Sequence, residues 1–135
     1  MSKQVDFEKY AHFVNAVTSD ESKNGDSFTH RIADLYYQDF PVERMLTAAV
    51  GLSAEAGEFT EIVKKILFQG KPVNQENMFH LKRELGDIMW YIAQACIALG
   101  ISLEDVLDTN IQKLEARYPD GFEAFRSENR KEGDI

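Results

Sequence analysis

The chain has 135 residues, 44% hydrophobic and 28% charged, with a formal net charge of −8. That is the size of about one domain and the composition of an ordinary globular protein, not of a disordered or fibrous one. The acidic balance (pI 4.8) excludes a general nucleic-acid-binding surface but not a nucleotide substrate, because a bound cation can carry the positive charge locally.

In chain order, residues 5–18 predict an amphipathic helix, with Phe7, Tyr10, Ala11, Val14 and Val17 at helical spacing. Residues 19–27 are polar and turn-rich and predict a loop. Residues 28–38 predict a weak helix with Ile32, Leu35 and Tyr36 on one side. Pro41 and Glu43 then open a long helix that runs to about Phe68 and stops near Gly70, apolar on more than one face. Asn74 is the expected N-cap of a helix over 75–99, ended by Gly100. Ser102 to Asp105 resembles a capping box, and the helix behind it stops before Pro119. Residues 126–135 are charged and expected to fray. The fold class is all-α and four-helix-bundle-like, with one domain spanning 1–135.

The lone Cys96 lies in an apolar run and reads as a buried structural thiol in a reducing compartment. Met-Ser-Lys-Gln at the start carries no apolar leader core, and no apolar run reaches membrane-span length. The expected location is cytoplasmic, without membrane or nucleic-acid partners.

Chemistry concentrates in two acidic pairs. Glu55-Ala56-Gly57-Glu58 lies on the first long helix and Glu84-Leu85-Gly86-Asp87 on the second. Residues three apart share a helix face, so four carboxylates converge if the helices pack antiparallel. Unpaired, they would repel one another and lose hydration; a divalent cation removes that cost. Mg²⁺ suits all-oxygen sites and binds substrate phosphates alongside carboxylates, with Mn²⁺ as the alternative. Solvated surface charge is the commoner explanation of a single Glu-x-x-Glu. Here both pairs are embedded in apolar helix, and each encloses a glycine that costs about 0.5–1 kcal/mol against alanine. Gly57 and Gly86 therefore predict close helix approach or room for a ligand.

Together with Asn110 … Lys113 … Arg117-Tyr118-Pro119-Asp120-Gly121-Phe122, these motifs resemble the all-α nucleoside triphosphate pyrophosphohydrolases over roughly residues 42–122. That group includes MazG, the dimeric dUTPases and the phosphoribosyl-ATP pyrophosphohydrolases. The closest resemblance is to small single-domain MazG-like proteins, some of them phage-encoded, for which the location would be the host cytoplasm. Ala54 departs from MazG sequences that carry a second glutamate there, and Glu61 is the candidate substitute.

The resemblance implies Mg²⁺-dependent hydrolysis of (deoxy)nucleoside triphosphates to monophosphate and pyrophosphate by a homodimer or homotetramer. It makes Glu55, Glu58, Glu84 and Asp87 the metal ligands and catalytic carboxylates, one of them or Glu61 orienting the water. Lys113 and Arg117, four apart, would hold phosphates, and Asn110 a sugar or phosphate. Tyr91, four after Asp87, could stack on a base or pack in the core. One of Lys64, Lys65 and Lys71 is expected at a phosphate, and His12 and Asn15 are weaker candidates for reading the base. His30 and His80 read as structural or exposed, and Trp90 as a packing residue. Competing readings are a narrow dUTPase- or dCTPase-type enzyme and a non-catalytic helical dimerisation module. A ferritin-like di-iron bundle would need Glu-x-x-His, and neither acidic pair has a histidine at that position.

Overall fold

The computed structural model describes residues 3–121. Over these it is helical, as expected: α1 (Phe7–Ala16), a 3₁₀ turn (Asp20–Ser22), α2 (Gly25–Tyr37), α3 (Val42–Phe68), α4 (Gln75–Leu99) and α5 (Leu103–Arg117). The chain divides into two compact units, Met1–Val42 and Glu43–Ile135. The tail expected to fray, 126–135, lies outside the described residues.

In the first unit, Asp6 caps α1 by accepting from the Lys9 backbone N–H at 3.1 Å. The stretch 19–27 is more ordered than a loop. Lys23 Nζ donates to the Asn15 carbonyl at 2.9 Å, satisfying a carbonyl at the end of α1. Asn24 accepts from the Ser27 N–H at 2.9 Å, so α2 begins at Gly25, ahead of the expected residue 28. Polar residues that read as turn formers act here as helix caps.

In the second unit the boundaries agree closely with the sequence. α3 carries Glu43 in its first turn and Lys65 in its last, both favourable to the helix dipole. The connection 69–74 is short, so α3 and α4 form an antiparallel hairpin. Asn74 accepts from the Asn77 N–H, and the buried Asn77 amide donates to the Pro72 carbonyl at 2.6 Å, which pins the connection. At the other end of α4, the Gly100 N–H reaches the Ile97 carbonyl and the Ile101 N–H the Cys96 carbonyl. This Schellman stop needs the left-handed φ of +66° that glycine adopts without a steric penalty. α5 then leaves at 97° to α4, capped by Ser102.

The glycine expectation changes. At Gly57 and Gly86 a Cβ would meet nothing, so neither marks a close crossing among the described residues, and the expectation of room for a ligand there stands open. The crossing is at Gly51, which is buried and lies directly under the Tyr91 ring. The hairpin also leaves much apolar surface in water. Among the described residues the buried hydrophobic side chains are Ala48 and Cys96, while Val50, Leu85, Ile97 and Leu107 are half exposed or more. Trp90, expected to pack, is 55% exposed and meets Tyr91 edge-on.

Candidate metal and phosphate site

The antiparallel hairpin brings Glu55 of α3 against Glu84 and Asp87 of α4. Each offers one oxygen, and the three oxygens lie within 4.8 Å of one another. Glu55 and Glu84 are half-buried and Asp87 is exposed, so the group opens to solvent on one side. The Glu84 Oε2 atom is buried with no hydrogen-bond partner among the described residues. A hydrogen bond to Glu84 raises the Glu55 pKa above its ordinary value, aided by burial and by the charges of Asp87, Glu84 and Glu58.

The group could hold a cation. The donors are all hard oxygens, they come from two helices, and they repel each other as built. Such a set suits Mg²⁺ or Mn²⁺, which would neutralise the group and polarise phosphate oxygens. Glu58 lies outside the group of three, though near enough for its charge to act on Glu55.

Glu61 has different partners. It accepts from Lys64 at 3.1 Å and Lys65 at 3.4 Å. The Lys64 hydrogen bond, with the charges of both lysines, lowers its pKa. Exposed pairs of this kind contribute about 0–1 kcal/mol, so either lysine can exchange Glu61 for a phosphate at little cost. Lys71 is half-buried in the α3–α4 connection.

The remaining expected residues are spread over other elements. Lys113 is half-buried on α5, and Arg117 is half-buried in its last turn with its guanidinium 6.0 Å from the Tyr118 ring centroid. Asn110 is exposed on the same helix, and Phe122 lies outside the described residues. His12 and Asn15 are exposed on α1, in the first unit. His30 bonds locally to the Asp26 carbonyl. Tyr91 is half-buried on the side of α4 that carries the carboxylates, packed on Gly51.

The sequence reading did not single out Gly51. Its signal was available: a mid-helix glycine four residues before Glu55, hence one turn away on the same face.

Comparison with known proteins finds one matching family model and a phage relative. Residues 44–122 match the model of the MazG nucleotide pyrophosphohydrolase domain. The chain is 40% identical over 90 residues to the Gene 37 protein of Mycobacterium phage L5, covering 66% of this chain and 79% of the phage protein. No solved structure matches.

Proposed function

The chain belongs to the MazG nucleotide pyrophosphohydrolase family, and from that premise we propose that it hydrolyses (deoxy)nucleoside triphosphates to the monophosphate and pyrophosphate with Mg²⁺ at the Glu55–Glu84–Asp87 group. The observation that carries this reading is the convergence of three carboxylate oxygens from two helices within 4.8 Å.

In this reading Glu55, Glu84 and Asp87 hold the cation, with Glu58 completing the set from the next turn of α3. The cation supplies charge neutralisation at the phosphate oxygens. A water oxygen bonds to phosphorus, the α–β anhydride bond breaks, and the pyrophosphate oxygen takes the electron pair. One of the acidic residues accepts the water's proton. Lys113 and Arg117 hold phosphate oxygens, Arg117 with a planar fork suited to two contacts. Lys64 is a further phosphate candidate once released from Glu61. Asn110 bonds sugar or phosphate.

The active form is proposed to be a homodimer or homotetramer. Residues 88–103 carry no charged side chain in a chain of net charge −8. They contribute to an apolar hollow of about 230 Å³ walled by Met89, Ile92, Cys96, Ile97 and Leu103. A second copy can meet this face without like-charge repulsion, and exposed apolar patches of this kind usually mark interfaces. No single helix among the described residues is long and apolar enough to cross a membrane.

The direct test is pyrophosphate release from a panel of ribo- and deoxyribonucleoside triphosphates, with Mg²⁺ and with chelator. Metal-dependent pyrophosphate release is expected. Activity on one pyrimidine triphosphate alone would support the narrow dUTPase or dCTPase reading. No release from any nucleotide would leave a helical oligomerisation module.

A further inference from the structure

We infer that Gly51 and Tyr91 set the spacing of α3 and α4 at the carboxylate group, so that Tyr91 is a positioning residue for the cation ligands rather than a platform for the base. The inference rests on the metal reading above.

Gly51 lies four residues before Glu55, and Tyr91 four after Asp87. Both contacts fit one antiparallel register: a step of one turn back along α3 matches a step of one turn forward along α4. The Tyr91 ring edge, from Cδ1 to Cζ, occupies the place that a Cβ on residue 51 would take. The gap between the helices there is therefore filled by one ring lying against bare backbone. Trp90 meets that ring edge-on, with centroids 4.9 Å apart and planes at 90°, and limits its movement from one side.

The tolerance at the neighbouring turn is small. Oxygens that share one Mg²⁺ lie about 2.1 Å from it, so no two are more than about 4 Å apart. The three carboxylate oxygens lie within 4.8 Å. The oxygens are near enough for one cation to draw together, and an outward shift of the helices removes the site. The carboxylates themselves push outward through like-charge repulsion. A packed contact one turn away on both helices opposes that push. By helix propensity alone alanine would be the better residue at 51. Glycine there fits a requirement for close approach.

The experiment is calorimetric titration of Mn²⁺ into nucleotide-free protein, with a thermal melt of each variant under chelator. Gly51→Ala should weaken Mn²⁺ binding about tenfold or more, the lower end of what outer-shell supports of metal ligands contribute. The double change Gly51→Ala with Tyr91→Leu, which gives the methyl room, should recover much of it. Should Gly51→Ala fail to fold, Tyr91→Ala tests the same spacing by removing bulk. It should also weaken Mn²⁺ binding, while Tyr91→Phe, which keeps the ring, retains it. Wild-type Mn²⁺ affinity in a folded Gly51→Ala or in Tyr91→Ala overturns the inference while the metal reading stands. So does a Tyr91→Ala variant that changes only the ranking of nucleotides. A wild-type protein that binds no Mn²⁺ overturns the metal reading and this inference with it.

Discussion

Glu55 on α3 and Glu84 on α4 bring carboxylate oxygens within 4.8 Å of each other, and the neighbouring acid raises the Glu55 pKa. Two carboxyls this close repel less when one holds a proton, so proton and cation compete for the same place.

A pH dependence follows for the metal-free protein. Folded Glu55 holds its proton to higher pH than a glutamate at the ordinary 4.5. Its contribution to stability is therefore fully present below that value and is lost as pH rises through the raised one. Under chelator, wild type and Glu55→Gln should melt alike at low pH, and the variant should melt higher near neutrality. Saturating Mg²⁺ should reverse the neutral-pH order, because only the wild type keeps the full ligand set. Parallel melting curves at all pH values would remove Glu55 from the group.

Asp87→Asn should abolish pyrophosphate release with the fold intact. Asp87 is exposed, and removing its charge relieves repulsion on Glu55. The metal-free melting temperature should hold or rise. A large drop under chelator would instead make Asp87 a structural residue.

Arg117→Ala should lower kcat/KM by roughly tenfold or more, for a loss of about 1.5–3 kcal/mol in hydrogen bonds to a charged group. The loss should be similar for every base, because phosphates carry no base identity. A cation that only complements the C-terminal end of α5 contributes about 0.3–1 kcal/mol to stability. In that case the melting temperature falls slightly and kcat/KM does not move.

Ile97→Glu tests the proposed interface. Ile97 is 61% exposed, so the substitution should be nearly neutral for a monomer. If a second copy covers the face, the buried charge should dissociate the assembly, visible in light scattering as a fall toward the monomer mass of 15.4 kDa. A wild type that already scatters as a monomer at micromolar concentration would exclude the oligomer.

Gly57→Ala separates two uses of the open space beside the acidic pair. A Cβ there meets nothing among the described residues, so alanine should stabilise α3 by about 0.5–1 kcal/mol. A stabilised variant with unchanged activity means the glycine is not needed. A stabilised variant that loses substrate affinity or assembly means a ligand or a second copy approaches the backbone at that point.

The helices of the second unit were legible in the sequence because their ends are local chemistry. Asn74 and Ser102 bond within three residues, and Gly100 supplies its own backbone angle. The same local chemistry was misread at Asn24, where a cap resembles a turn former until the following residues are seen to be helical. The acidic pairs were legible too, since i, i+3 spacing places each pair on one face. What spacing alone does not give is the rotation and register of α3 against α4. That register selected Glu55, Glu84 and Asp87 as the close group and left Glu58 beside it. It also made Gly51, rather than Gly57 or Gly86, the glycine that a neighbouring side chain requires. Each of these depends on which residues of two distant segments meet across the hairpin, a relationship that exists only once the two helices have packed.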